Sequence, residues 1–162
     1  MIFLAVGTQF GFDRLVKAVD EAIGQQSVQD TVFAQIGPGS YLPKRMEYAV
    51  SLEKEEYDRV LNSCDAMISH AGMGNISLAM KMGKPILVMP RLRRLGEVVN
   101  DHQVDTARKF GELGHVLVAW NEIQLPGKIE EMKTFVPVPR KAQLEAITNR
   151  IQVFLDNIVN RK

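Results

Sequence analysis

The feature that most constrains this chain is a recurrence of short apolar runs, each followed by residues at helical spacing. IFLAV (2–6), TVFAQIG (31–37), AMISHA (66–71), PILVMP (85–90) and HVLVA (115–119) carry little of the alternating polarity of a strand with one wet face. Such strands are covered on both sides, which is the situation of a parallel sheet between two layers of helices. After the first run, Leu15, Val16, Val19, Ala22 and Ile23 fall on one helical face. Tyr57, Val60 and Leu61 mark a short helix, 74–83 and 101–111 read as two more, and 140–160 as a long terminal one. EYAVSL (47–52) reads as a further strand beyond a Gly/Pro-rich turn. The segment 121–140, with Pro126, Pro137 and Pro139, reads as a surface connection. The predicted fold is α/β, a doubly wound parallel sheet.

At 162 residues, with 46% hydrophobic and 24% charged residues, the chain has ordinary globular proportions and reads as one domain, 1–162. A formal net charge of +1 gives no global field for nucleic acid, although Arg91, Arg93 and Arg94 make a local basic knot. The lone Cys64 excludes a disulfide framework and a cysteine-based zinc site, and suits a reducing cytoplasm. The amino-terminal apolar run is broken at Gly7 and lacks a basic leader, so it is expected to be a strand rather than a signal peptide. No run approaches the roughly 18 to 20 apolar residues of a membrane span, so work at a membrane requires a partner or a surface contact.

In a sheet of this kind, ligands bind beyond the carboxyl ends of the strands. Three loops there are chemically unusual. In VGTQFGFD (6–13), Gly7 ends a strand, and Thr8 and Gln9 offer polar groups before a helix; a plain tight turn is the alternative. In SHAGMGN (69–75), Gly72 and Gly74 stand where a helix begins, although glycine is a poor helix former. Without a Cβ there, an anion can approach the unsatisfied N–H groups and the positive end of the helix dipole. This is a phosphate cradle without a lysine; no GxxxxGK[ST] occurs, and GPGSYLPKR is not followed by the helix a dinucleotide fingerprint needs. His70 at a strand end is either a hydrogen-bonded structural group or part of that site. The third loop, PRLRRLGEVVNDHQ (90–103), gathers Glu97, Asn100, Asp101, His102 and Gln103. Asn100 or Asp101 alone is explained as a helix cap, but not all five. His102 is not spaced with His70 or His115 as a metal-ligand set, and no Asp-x-Asp pair is present to hold magnesium against a diphosphate.

These three motifs in order, SHAGMG, GKPILVMPR and GEVVNDHQ, resemble the carboxyl-terminal, nucleotide-sugar-binding half of glycosyltransferase family 28. The ordered motifs span residues 7 to 103. The match is nearest to the small stand-alone members, catalytic subunits of split enzymes of dolichol-linked oligosaccharide and bacterial exopolysaccharide synthesis. The resemblance implies a Rossmann-like carboxyl-terminal half of a GT-B fold. It also implies a UDP-sugar donor, a lipid-linked acceptor, and a membrane-anchored partner that supplies the acceptor half at the cytoplasmic face. By match to the motifs, Gly7, Thr8 and Gln9 line the donor diphosphate. His70, Ala71, Gly72, Met73, Gly74 and Asn75 hold the phosphates, and Asn100, His102 and Gln103 contact the sugar. Many members carry a ribose-binding glutamate eight residues after the motif histidine; here that position is Leu78, and Glu97 is the substitute.

The chemistry then expected is inverting sugar transfer without a metal or other cofactor. Helix-terminus dipoles stabilise the leaving diphosphate, and the general base lies on the partner. Two alternatives remain at this stage, a non-catalytic UDP-sugar-binding regulator and a relative of UDP-sugar 2-epimerases. In the terminal helix, Leu144, Ile147, Ile151, Phe154 and Ile158, widened by Leu155 and Val159, form one apolar stripe. The expectation is that it starts against the chain's own sheet and, beyond Ile151, meets the membrane partner.

Overall fold

The computed structural model describes residues 1–139 and 144–159, with side chains of 144–147 and 159 left undescribed. Six strands form one parallel sheet: β1 (Ile2–Ala5), β2 (Val32–Gln35), β3 (Glu47–Ala49), β4 (Ala66–His70), β5 (Ile86–Met89) and β6 (Leu117–Val118). Their order across the sheet is β3-β2-β1-β4-β5-β6. The central strands are buried, as the apolar runs require, except at His70 where β4 ends, and successive side chains enter opposite layers. Leu4, Ile68 and Leu87 join the core under α1 (Asp13–Gly24) and α5 (Leu125–Met132). Phe3, Met67 and Val88 join the core under α2 (Lys54–Ser63), α3 (Met73–Lys81) and α4 (His102–Glu112). This is the doubly wound sheet read from the sequence. β3 departs from the rule: Glu47 and Tyr48 are exposed, because it is an edge strand of three residues.

One expectation is corrected. Residues 121–140 are not merely a surface connection, for they contain α5, which buries Leu125, Ile129 and Met132. Pro126 sits in the first turn of that helix, where no N–H would have been bonded, so it starts the helix rather than breaking it. Each of those three side chains contributes roughly 1.5–3 kcal/mol by burial. The following segment runs along the rim of the sheet, with Val138 N–H donating to Gly114 O and Val138 O meeting His115 Nδ1 at 2.7 Å.

The terminal helix α6 (Leu144–Val159) carries Ile151, Phe154, Leu155 and Ile158 exposed. The apolar stripe is therefore present, and its described part does not pack on the sheet. Leu144 and Ile147, on which the inward half of that expectation rests, lie outside the described side chains. Among the described residues no helix is long and apolar enough to cross a membrane.

Candidate donor site at the switch point of the sheet

The strand order reverses between β1 and β4, whose residues pair as neighbours from Ile2↔Ala66 to Ala5↔Ser69. Their helices depart to opposite layers, which opens a crevice at the carboxyl ends of the two strands. The loops singled out in the sequence leave β1, β4 and β5, three adjacent strands, so the fold sets side by side what the chain separates by 97 positions or fewer between residues 6 and 103.

A hydrogen-bond network fixes the floor of this crevice. Ser69 Oγ donates to Ala5 O at 2.6 Å, and Asn75 Nδ2 donates to Ser69 Oγ at 2.7 Å and to Ala5 O at 3.2 Å. Tyr57 O–H in turn donates to Asn75 Oδ1 at 2.9 Å. Burial above all pushes the Tyr57 phenol up to about 12, so it remains a donor. Asn75 thus spends its side chain on tying β4 to β1, and what it offers a ligand is its backbone N–H. Neither Ser69 nor Tyr57 is among the site residues expected from the sequence. Only the position of Ser69, beside His70 in an apolar strand, signals it.

His70 lies between two glycines. A Cβ at Gly7 would stand 3.1 Å from His70 Cε1, and one at Gly72 would overlap His70 Nε2. Gly7 also has φ +84°, the left-handed region that side chains avoid. Burial, and secondarily the positive charge of Arg91, pushes the imidazole down to about 4, against a raising hydrogen bond with Ala5. His70 is therefore neutral near pH 7. Its ring accounts for Gly7 and Gly72, a structural cause the sequence reading did not have.

Gly74 is different, since a Cβ there would meet nothing within 4 Å. Gly72 is the N-cap of α3 and no side chain caps the helix. The N–H groups of Met73, Gly74 and Asn75 find no partner among the described residues, while Gly72 O already accepts from Ile76 N–H. An uncapped helix start at the switch point offers free N–H donors and the positive end of the helix dipole.

The remaining predicted residues divide. Thr8 and Gln9 are exposed on the loop after β1, and His102 is exposed at the start of α4. Asn100 Oδ1 accepts from His102 N–H at 3.2 Å, a local cap. Gln103 Oε1 accepts from Arg91 N–H at 3.0 Å. Glu97 is committed elsewhere: its oxygens take Arg14 Nε at 2.7 Å, Arg14 Nη2 at 2.9 Å and Leu92 N–H at 2.9 Å. Arg14 Nη2 also reaches Pro90 O at 2.9 Å, so the pair clasps α1 to the end of β5. Glu97 is thus held by three protein donors in that clasp. The basic knot likewise separates, with Arg91 buried and Arg93 and Arg94 exposed.

A cavity of about 960 Å³ lies not at these loops but beside edge strand β6, among Gly111, Gly114, Leu117, Val118, Trp120 and Phe135. Arg108, Glu112, Gln124, Lys128 and Glu131 also line it, but none of the three loops does, whereas the switch-point crevice has unpaired donors and a neutral imidazole. The latter is the better candidate on chemistry.

Fold and site together define a Rossmann-like domain of the kind that forms the carboxyl-terminal half of GT-B glycosyltransferases. The chain belongs to glycosyltransferase family 28: the model of the family 28 C-terminal domain matches residues 1–158. Among curated proteins it is 26% identical over 152 residues to the human UDP-N-acetylglucosamine transferase subunit ALG13, covering 88% of this chain and 13% of that protein. The mouse protein of the same name is 29% identical over 126 residues, 70% of this chain and 10% of its own length. The chain thus spans a small part of these relatives. Among solved structures, the glycosyltransferase of kitacinnamycin superposes with a TM-score of 0.60 at 21% identity, over 82% of this chain and 34% of that one. The solution structure of ALG13 gives 0.57 at 19% identity, over 93% of each chain. MurG of Acinetobacter baumannii gives 0.55 at 20% identity, over 82% of this chain and 40% of that one.

Proposed function

We propose that this chain is the donor-binding, catalytic subunit of a two-component inverting glycosyltransferase. It moves a sugar from a UDP-sugar to a lipid-linked saccharide in polysaccharide synthesis, at the cytoplasmic face of a membrane. The observation that carries the reading is the uncapped start of α3, open at Gly74, beside the loops after β1 and β5. In this reading the acceptor hydroxyl attacks the anomeric carbon from the face opposite UDP. The bond from that carbon to the diphosphate oxygen breaks, and its electron pair leaves on UDP. The hydroxyl proton passes to a general base on the partner, because the base must lie within hydrogen-bond reach of the acceptor.

Charge growing on the diphosphate is met by the N–H groups of Met73, Gly74 and Asn75, already oriented before the reaction. Gly7, Thr8 and Gln9 line the diphosphate from the β1 side. Asn100, His102 and Gln103 face the sugar, and no divalent metal takes part. The name of the human relative, a transferase subunit, supports a two-component enzyme, and the exposed face of α6 supports a partner. The test is UDP release from a panel of UDP-sugars, with and without membranes carrying the candidate partner. Release from one donor that requires both components is expected. A folded chain that binds no UDP-sugar would end the proposal.

A further inference from the structure

Arg91 is the first residue after Pro90 at the end of β5, yet it is only 3% exposed. Its Nη2 donates to the carbonyls of Val6 and Phe10, both at 2.7 Å, the two ends of the loop that holds Gly7, Thr8 and Gln9. The guanidinium lies 4.9 Å from the centre of the Phe12 ring, and its Nε is buried without a hydrogen-bond partner. Among the described residues no carboxylate pairs with it, since the nearby Glu97 is bound to Arg14. Burial pushes Arg91 down to about 10, with the Glu97 charge in opposition, and its own charge is felt at His70. A buried charge without a counter-ion is strongly unfavourable, and removing it would leave the loop carbonyls unpaired. The position makes sense if an anion completes it.

Building on the donor reading above, we infer that Arg91 is the counter-charge of the donor diphosphate. Held behind the 6–10 loop, it fixes that loop's shape and places one positive charge at the switch point. It is a positioning residue, acting on the diphosphate through the loop and through space. The alternative is a purely structural clamp, and the two separate in the variant that keeps the charge.

Calorimetry with UDP and with uridine on the wild type, Arg91→Met and Arg91→Lys gives the affinity ratio that the diphosphate alone contributes. The ratio is expected to fall about tenfold or more in Arg91→Met and to stay within about threefold in Arg91→Lys, which keeps the charge. A structural clamp on that loop would lower the ratio as far in Arg91→Lys, which loses the guanidinium geometry, as in Arg91→Met, so a fall of about tenfold in folded Arg91→Lys or an unchanged ratio in folded Arg91→Met overturns the inference. A measurement on the wild type covers the case in which methionine unfolds the protein. The buried Arg91 Nε–H resonance should move on addition of inorganic pyrophosphate and not of uridine, and an unmoved resonance at saturation overturns the assignment. A wild-type chain that binds uridine no worse than UDP removes the diphosphate site itself, a different failure from a lost Arg91 effect.

Discussion

A side chain at Gly72 would run into the His70 ring before it met any ligand, whereas one at Gly74 would enter open space. Gly74→Val is therefore the informative variant. It should keep a native circular dichroism spectrum and lower UDP affinity, while Gly72→Val should also lower stability; calorimetry and urea melts distinguish them. His70 supplies a second prediction, with its sign fixed by linkage. Its pKa of about 4 in the folded state lies below the ordinary 6.5, so the unfolded chain binds the extra proton between those values. Stability should be full above pH 6.5 and fall as the pH drops towards 4, by at most about 3 kcal/mol for this group. In urea melts at pH 7 and pH 5, His70→Asn should flatten that dependence. Glu97→Gln should leave discrimination between UDP and its 2′-deoxy analogue unchanged, because the carboxylate is held by Arg14 and not free for ribose. Glu97→Ala should instead cost about 1–3 kcal/mol of stability, because it removes three hydrogen bonds and leaves Arg14 only the longer ion pair with Glu122.

Among the elements, α1 does more than cover the sheet. Its Asp20 is fully buried, and accepts from Tyr41 O–H at 2.7 Å, Lys44 N–H at 3.0 Å and Arg45 N–H at 2.7 Å. The connection from β2 to β3 is organised around that one carboxylate, so Asp20→Ala should lower stability by roughly 2–4 kcal/mol in denaturant melts. Asp20 was invisible beforehand, since a helical aspartate in a sequence is ordinarily a solvated one. The strands were legible because burial on both faces leaves no polar alternation, and the site loops because glycines interrupt the start of a helix. α5 was hidden by Pro126, read with Pro137 and Pro139 as the mark of a surface connection, although the first helical turn tolerates proline. The clasp of Arg14 on Glu97 joins residues 83 positions apart, beyond the reach of local spacing. The apolar stripe on α6 was legible as helical periodicity, but not what it covers. Truncation after Arg150 should leave UDP binding intact and abolish recruitment to membranes carrying the partner.

For the whole molecule, the proposed chemistry divides the labour between two chains, with leaving-group stabilisation here and proton removal there. Transfer should then survive EDTA in the reconstituted system; restoration of a lost activity by magnesium would show that dipoles and Arg91 do not suffice. The sheet order has a separate consequence for how the protein is made. β1 lies between β2 and β4, and its pairing with β4 spans 64 positions from Ile2 to Ala66. On a ribosome the first strand must wait for residues 66–70 before its second neighbour exists, and for Arg91 before the loop after it is held. Such long-range closure slows folding, and it assembles the proposed donor site only once more than half of the chain has emerged. Under the donor reading, a nucleotide cannot template the early folding of this protein; it can bind only after those distant segments have met.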